Sequence, residues 1–480
     1  GGTVTSEDIA KMSGRSAESV ASTVGGVYTE DGEVKSIRGA RQEATVYYID
    51  GVKVRGTKSI PKGAIEEVSV VTGGLAAKYG DATGGVVSIT TKGPSREFSG
   101  GVELVTSKFL DPYNENILGF SVSGPVFSRR IPDYRDSTKT VKDPVAGFFL
   151  AGELTYVLDD QPSAIGVWKA KDDILDSIRQ SPIRSYRPSP NLFVTQFNGA
   201  YLREYDEETG EANFEKIDAK QNIDKYGANF SGKLDISATK NLNFTIGGSF
   251  DYLNRHNFSW ANTMFNWDNN PHQLRTTWRT FFRITHKLGS SGMDEEAQTS
   301  SLIKNAYYTL QVDYSKDDRL FQNETHQDDF FNYGYIGKFK THKITTYELG
   351  TDTLTGTTGW IHNGFADTLV DFDPSDLNTD LARHTVLYFD GADPDFYRNF
   401  VQIQNGGGLL NGEEPGLIYG LYRNPGHQFD GYQKDDNSQF GIRTDGSADI
   451  GDHEISFGFE FEQRSEIGRA SCRERVCHRV

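Results

Sequence analysis

Long runs in which apolar and polar residues alternate occupy much of the chain after residue 98. In residues 229–238, Phe230 and Leu234 fall on one face of the run, while Lys233 and Asp235 fall on the other. The same alternation recurs in residues 148–158, 242–252, 278–288 and 455–461. A period of two residues predicts β-strands with two unlike faces. Runs of about ten residues or more are long enough to cross a bilayer at a tilt.

A soluble β-sandwich also has alternating strands, but these are nearer five or six residues long. Its inner face is also rarely opposed by so many Asn, Asp, Lys and Arg residues. We therefore predict antiparallel transmembrane β-barrel strands, with one face toward lipid and the other toward a polar lumen. Nine strands are predicted, near residues 98–110, 115–127, 145–158, 225–238, 242–254, 274–288, 301–315, 437–450 and 453–463.

The lengths of the connections orient these strands. Bacterial barrels have short periplasmic turns and longer extracellular loops, so residues 239–241 and 451–452 are predicted on the periplasmic side. Residues 161–224 and 316–436 are then large extracellular loops, and the strand-like segment near 333–342 is a hairpin within a loop. Because plugged barrels need about 22 strands, we expect residues 95–463 to be the N-terminal portion of an incomplete barrel.

The first 94 residues follow a different pattern, which predicts a small α+β domain. Short helices are expected from Thr5 to Met12 and over 17–24, and strands over 34–38, 45–50, 67–72 and 85–91. The last two strands flank a glycine-rich joint, in which 75–79 can form one helical turn. We expect positive φ angles at the joint, so that Gly84→Val destabilises the domain.

Five short motifs make this domain specific: SIRG at 36–39, VYYIDGV at 46–52, IEEV at 65–68, Tyr79-Gly80, and GGVVSI at 84–89. In this order and spacing they resemble the plug domain of TonB-dependent outer-membrane receptors. The TGG joint and the ITTKGPS ending are similar to Bacteroidota receptors of the SusC/Oar-like type. The resemblance covers residues 1–94 closely and the rest by pattern alone. It implies an energy-coupling segment before Gly1 and further barrel strands after 463.

The resemblance assigns a structural role in the plug to a set of arginine, aspartate, tyrosine and glycine residues. These are Arg38, Gly39, Asp50, Gly51, Tyr79, Gly80, Gly84 and Gly85. Asp50-Gly51 is predicted to form a tight turn. Arg38 is expected to face the lumen near Asp50, Glu66 and Glu67; the alternative for Arg38 is a plain surface charge.

The tail of the chain differs from everything before it. Residues 464–480 contain many arginines and both cysteines, Cys472 and Cys477. One interpretation is a redox or metal pair with His478. The interpretation we favour is a non-native tail from a vector, adapter or frame error, since it interrupts a strand pattern.

Composition narrows the class of function. The net charge of −17 argues against a nucleic-acid partner, and no apolar run is long enough for a transmembrane helix. We find no set of residues with catalytic or zinc-binding spacing, so we expect neither an enzyme nor a bound cofactor.

Two groups in the loops are candidate ligand sites. An acidic cluster could bind Ca²⁺ through several oxygens, or be a solvated loop: Asp371, Asp373, Asp376 and Asp380. Aromatic residues could stack on a ligand, or could belong to loop packing and the interfacial girdle: Trp260, Trp267, Trp360 and Tyr397.

The resemblance implies an importer in the outer membrane of a Gram-negative bacterium, taking up a siderophore, glycan or peptide. Its expected partners are the TonB–ExbB–ExbD complex, outer-membrane lipids and lipopolysaccharide, and a surface lipoprotein. The large loop leaves open an alternative, a plugged adhesin or assembly protein that imports nothing. A passive porin is a weaker third hypothesis, since a plug closes the lumen.

Overall fold

Short β-branched runs in the first 94 residues build a five-stranded sheet. The computed structural model describes residues 1–30, 32–54, 58–74, 79, 82–132, 140–189, 192–288, 303–391, 399–451 and 453–472. The elements of the first domain are β1 (Gly2–Thr5), α1 (Ser6–Lys11), α2 (Ala17–Ala21), β2 (Val27–Glu30), β3 (Glu33–Ile37), β4 (Thr45–Ile49), β5 (Val52–Lys53), β6 (Ile65–Val71) and β7 (Gly85–Thr91).

The sheet has the order β1-β6-β7-β4-β5, with β4 and β7 parallel, while β2 and β3 form a separate hairpin. The predicted α+β domain is confirmed. Both predicted helices are present, although the second ends at Ala21, three residues earlier than expected. The alternation pattern missed β1, β2 and β5 because they are only four, four and two residues long.

Helix α2 packs on this sheet through one face. Ala17, Val20 and Ala21, at positions i, i+3 and i+4, are all buried in the same cluster as Val68 of β6. This spacing places small and branched side chains on a single stripe of the helix. Ser16 caps the helix by accepting a hydrogen bond from the Ser19 backbone N–H at 3.0 Å.

The rest of the chain forms long strands joined by loops that carry their own elements. In chain order these are β8 (Ser99–Thr106), β9 (Asn116–Pro132), β10 (Thr140–Val157), β11 (Val167–Ala170), α3 (Asp172–Gln180), β12 (Ile183–Ser189), β13 (Leu192–Phe197), β14 (Phe214–Ile217), β15 (Lys225–Ser237), β16 (Leu242–His256), β17 (His272–Lys287), β18 (Ile303–Gln322), β19 (Gly337–Thr351), β20 (Thr358–Pro374), α4 (Thr379–Gly391), α5 (Phe400–Asn405), β21 (Gly431–Ile450) and β22 (His453–Cys472).

Nine of these strands form one antiparallel sheet, here called the wall, in the order β22-β21-β18-β17-β16-β15-β10-β9-β8. The nine predicted strands are confirmed. Strand β18 pairs directly with β21, and β19 and β20 form a hairpin of their own, as the strand parity required. Both strands that flank the large loop extend farther into it than the hydrophobic pattern indicated, to Gln322 and from Gly431.

Strand β22 is also longer than predicted. The expected end at residue 463 is wrong, because backbone pairing with β21 continues as far as Cys472 opposite Gly431. Backbone hydrogen bonds can form with polar, arginine-rich side chains, so the strand continues although its side-chain pattern does not indicate a strand. Cys477 and His478 lie outside the described residues, so the origin of the tail stays a prediction.

The wall has its polarity reversed relative to a soluble sheet. Its outward face carries exposed aromatic residues, such as Phe250, Phe457 and Phe459. Its inward face carries buried charged side chains, including Asp251 and Arg279. An apolar exterior around a polar interior is the arrangement that suits lipid on one side and a lumen on the other.

Contacts between the first domain and the wall include an apolar patch. Ile60 and Ala64 of the first domain lie in one buried cluster with Phe149 and Ala151 of β10.

Farther along, the loops pack into a core in which Phe265 and Ile418 are completely buried. Within the described part of the chain, no helix has both the length and the apolar character to cross a membrane.

Candidate functional site

The turn between β4 and β5 brings the first domain against the wall. Asp50 and Gly51 both have positive φ, 50° and 82°, and Ile49 pairs with Val52 across the turn. Two successive positive φ angles occur in the tight hairpin turns that favour Asp-Gly. The predicted turn is therefore confirmed, and it presents two backbone carbonyls and one carboxylate to the wall.

The Asp50 carboxylate is buried and fully engaged. Lys233 of β15 places its Nζ 2.6 Å from Asp50 Oδ1. Thr91 donates to the same carboxylate twice, through its backbone N–H at 3.0 Å and its hydroxyl at 2.6 Å. Lys233 also donates to the Thr91 carbonyl at 2.6 Å. One wall lysine thus links the β4–β5 turn to the end of β7.

Two arginines of the wall hold the backbone of the turn. Arg283 of β17 donates to the carbonyl of Asp50, and Arg443 of β21 donates to the carbonyl of Gly51. A Cβ on Gly51 would lie 3.2 Å from the Arg283 guanidinium, so glycine leaves room for this approach. We call Asp50 and Gly51, together with Lys233, Arg283 and Arg443, the turn clasp.

Beside the clasp, further polar contacts continue along β5. Gln439 donates to the Lys53 carbonyl at 3.3 Å, and the Lys53 ammonium lies 3.6 Å from Glu462 of β22. A small cavity opens there between the first domain and β21 and β22. This part of the interface is made of hydrogen bonds and ion pairs, which water can replace when the two surfaces separate.

A second ionic junction lies on the other side of the first domain. Arg15 forms a bidentate pair with Glu103 of β8, at 3.0 and 2.9 Å, and contacts Glu153 of β10 at 2.7 Å. The hydrogen bond to Glu103, together with that to Glu153, raises the pKa of Arg15. A guanidinium matches two carboxylates because its donors form a planar fork.

Arg38 does not lie where the sequence led us to expect. Its backbone has φ 51°, followed by Gly39 with φ 80°, and its side chain packs against Gly26 and Gly73. The structure pairs Asp50 with wall residues instead. The left-handed turn at Arg38-Gly39 determines this direction, and a motif cannot show which way such a turn sends its side chain.

The glycine-rich joint is close-packed, and our reason for Gly84 was wrong. Gly84 does not have a positive φ; instead a Cβ there would lie 2.8 Å from Ala40 Cβ and 3.0 Å from Ala44 Cβ. At Gly85 a Cβ would lie 2.7 Å from Ile37 Cδ1. Among the described glycines of the joint, Gly74 has the positive φ, 64°. The rings of Tyr79 and Tyr48 are 5.6 Å apart, while Gly80 and the predicted helical turn lie outside the described residues apart from Tyr79.

The predicted aromatic ligand contacts separate into two kinds. Trp260 and Trp360 are 60% and 73% exposed, which leaves their rings available to a ligand. Trp267 packs against the loop core, and the Lys169 ammonium lies 5.0 Å above its ring. Its position indicates a role in packing. Tyr397 lies outside the described residues.

The four aspartates of the calcium hypothesis are dispersed along one hairpin and the helix after it. Asp371 and Asp373 stand opposite lysines across the β19–β20 hairpin, and Asp376 lies in a short 3₁₀ turn. Asp380, in the first turn of α4, is 3.5 Å from Arg179. Among the side chains that the structure describes, no three of these carboxylates converge as a ligand group. Calcium binding stays a prediction.

A buried histidine in helix α4 makes the stability of this region depend on pH. His384 of α4 is 1% exposed, and its ring meets Phe197 edge-on at 5.9 Å. Burial lowers the pKa of His384 to about 4, whereas an unfolded histidine titrates near 6.5. The unfolded segment therefore binds more protons between these values, so the stability present above pH 6.5 is lost as the pH falls toward 4.

We expect protease cleavage around α4 to become faster as the pH falls from 6.5 to 4. His384→Leu should remove this pH dependence, because no buried imidazole then has to be charged. His342→Leu, at an exposed position on β19, is the matched control and should behave like the unmodified protein. Equal pH dependence in the protein and in His384→Leu would contradict the assignment.

The sequence did not predict the contacts of Lys233, Arg283 and Arg443 in the wall, or those of Arg15 in the first domain. The alternation puts Lys233 on the polar face of its strand but does not show which residue it pairs with. A detectable signal was the presence of lysine or arginine at inward positions of the alternation, since a buried cation requires an anion or carbonyls.

Comparison with known proteins supports the predicted resemblance of the first domain to a receptor plug domain. The profile of the family described as "TonB-dependent Receptor Plug Domain" matches residues 2–86. A protein of Acinetobacter baumannii, "Probable TonB-dependent siderophore receptor PirA", is 36% identical over 133 residues, covering 23% of this chain and 17% of that protein.

Two solved structures of iron-complex receptors align with most of this chain. The ferric citrate transporter FecA, in its unliganded form, aligns over 98% of this chain and 57% of its own, with 13% identity and a TM-score of 0.39. The ferric-catecholate import receptor Fiu from E. coli K12 aligns over 96% and 59%, with 10% identity and a TM-score of 0.40. The chain thus spans less than a fifth of the curated relative and under two thirds of either structure.

Proposed function

Because residues 2–86 form the plug domain of a TonB-dependent receptor, we propose that this protein is an outer-membrane importer energised through TonB. The observation that carries the proposal is the turn clasp. The plug is held by ion pairs and hydrogen bonds to three wall strands, inside a sheet whose outward face is apolar. Apart from the apolar patch of Ile60 and Ala64 against β10, the plug therefore blocks the lumen through polar contacts that water can replace.

In the proposed cycle, a ligand first binds to the outer loops and to the plug surface beneath them. Binding shifts the plug from its resting conformation toward the conformation that engages TonB. The free energy available for this shift is the difference between the ligand's affinities for these two conformations. Force from the TonB–ExbB–ExbD complex, driven by the proton gradient, then separates the plug from the wall. The clasp carbonyls and carboxylate become hydrated, and the ligand passes without covalent change.

The ligand class that we propose is an iron–siderophore complex. Support for it comes from the name of the Acinetobacter relative, whose similarity to this chain is restricted to 133 residues. The exposed rings of Trp260 and Trp360 are our proposed ligand contacts, because aromatic faces bind planar and apolar groups. The alternative ligands that we propose are a glycan and a peptide. We also propose a surface lipoprotein as a partner and the SusC/Oar-like type as the subtype.

Two further proposals concern the surroundings of the protein. We propose that the exposed aromatic residues on the outward face of the wall contact outer-membrane lipids and lipopolysaccharide, which also makes the outer membrane its location. Calcium in the loop of Asp371, Asp373, Asp376 and Asp380 is proposed only as an ordering ion. Calcium that leaves the proteolysis of this loop unchanged would remove the idea.

Uptake in cells tests the proposed function. Cells that express the protein should accumulate a radiolabelled ferric siderophore when TonB is present and lose this accumulation when TonB is deleted, while surface binding persists. Uptake that continues without TonB would contradict the proposal. Loss of cell attachment on excision of residues 316–436, with no uptake of siderophore, glycan or peptide, would instead establish the adhesin, and open-channel conductance in a bilayer would establish a porin.

A further inference from the structure

Two histidines stand directly opposite each other where β16 ends and β17 begins. His256 and His272 are cross-strand partners, and their rings stack with centroids 4.8 Å apart. Glu324, just after β18, places its Oε2 2.9 Å from His256 Nε2. One ligand atom from each of the three residues lies within 4.8 Å of the other two. Neither the sequence motifs nor the turn clasp involves this group.

The hydrogen bond to His272 determines which of its nitrogens is free. His272 Nε2 lies 2.8 Å from Asn254 Oδ1, an oxygen that can only accept, so Nε2 carries the proton. The lone pair of His272 is then on Nδ1, which is buried and has no hydrogen-bond partner. A buried acceptor left unpaired is costly. A bound cation would satisfy it.

His256 lies between two carboxylates, one within hydrogen-bond distance and one farther away. Its Nε2 faces Glu324, and its Nδ1 is 4.0 Å from Asp224 Oδ1. Metal-binding histidines commonly present one nitrogen to the ion and the other to a carboxylate that orients the ring. His256 Nδ1 is buried without a hydrogen-bond partner, and a closer approach of Asp224 would supply this orienting contact when His256 Nε2 is the ligand.

We propose that His256, His272 and Glu324 bind a divalent transition-metal ion of the Zn²⁺ type. Two imidazole nitrogens and one carboxylate oxygen are a ligand set that Zn²⁺ accepts, with a fourth position for water. Ligand atoms around tetrahedral Zn²⁺ are about 3.3 Å apart. The His256–Glu324 pair is already near this separation at 2.9 Å, and the other pairs, within 4.8 Å, would have to move closer by side-chain rotation.

Such an ion would connect three wall segments at the loop end of the sheet. His256 ends β16, His272 begins β17, and Glu324 belongs to the segment that leads from β18 into the large loop. The ion would fix the start of that loop against two neighbouring strands. This role is independent of the imported ligand and of TonB.

Zinc titration of the purified full chain with Cys472→Ser and Cys477→Ser, in detergent and after removal of metals with EDTA, tests the proposal. We expect calorimetry with ZnCl₂ to show a site of one ion per chain. Glu324→Gln and His272→Gln should weaken this site at least about 100-fold. His286→Gln, on the same strand β17 but outside the group, is the matched control and should leave the affinity unchanged.

Glu324→Gln is the decisive variant, because Glu324 is 61% exposed and its replacement does not disturb a buried core. Co²⁺ should give the visible absorption bands of tetrahedral coordination in the unmodified protein and in His286→Gln, but not in Glu324→Gln. The absence of a one-ion site, or equal affinity in all variants, would overturn the proposal and leave a hydrogen-bonded histidine–carboxylate network.

Discussion

Asp50→Asn is expected to lower the free energy of unfolding of the plug by about 3 kcal/mol. Asparagine keeps the size of the side chain and tolerates the positive φ of this turn, so the change removes the charge and replaces one of the two acceptor oxygens with a donor amide. Lys233 then stays buried without its carboxylate, and breaking a buried pair from one side costs about 3–5 kcal/mol. Urea titration followed by pulse proteolysis of the plug measures the loss.

A double-mutant cycle shows whether the effect belongs to the ion pair. Lys233→Met alone should also destabilise the plug. Asp50→Asn together with Lys233→Met should cost less than the sum of the two single changes, because the double variant leaves no unpaired charge. Glu33→Gln breaks the exposed pair with Lys35 and is the control, with an expected effect below about 1 kcal/mol. Strict additivity of the Asp50 and Lys233 changes would contradict the clasp.

Gly84→Val is expected to destabilise the plug by about 3 kcal/mol, the upper end of the cost of overpacking. The reason is the contact that a Cβ would make with Ala40 and Ala44, at 2.8 and 3.0 Å. Thermal unfolding of the plug, measured by protease resistance, checks the size of the effect. Gly25→Val is the matched control, since a Cβ there meets nothing within 4 Å, and it should cost much less.

A second variant separates close packing from backbone strain at Gly84. Gly84→Ala should be partly rescued by Ala40→Gly, because this change removes the methyl group in the closest contact. Strain from a positive φ would not respond to Ala40→Gly. Failure of the rescue would therefore return the explanation to the backbone.

The wall could be predicted from the sequence because its side-chain period is simple. One polar and one apolar face per strand, together with turn lengths, were enough to identify nine strands and to place β19 and β20 outside the wall. The ends of β18, β21 and β22 were not predictable, since there the strands leave the apolar band and only backbone pairing continues.

The candidate site was predicted only in part. The tight turn at Asp50-Gly51 was predictable, because Asp-Gly is a residue pair that favours such turns. Its partners Lys233, Arg283 and Arg443 lie far away along the chain, and alternation shows which face they occupy but not which plug atom they meet. Arg38 shows the same limit in reverse, because a left-handed turn sends its side chain to Gly26 and Gly73 rather than to Asp50.

Cysteine labelling at Ala151 tests most directly whether the plug leaves the wall during transport. Ala151 faces inward on β10, is 0% exposed, and packs against plug residues. In a background with Cys472→Ser and Cys477→Ser, Ala151→Cys should react with a maleimide only when ligand, TonB and the proton gradient are all present. Leu354→Cys, 95% exposed, should react under every condition. Labelling of Ala151→Cys without TonB, or no labelling during active uptake, would contradict the account.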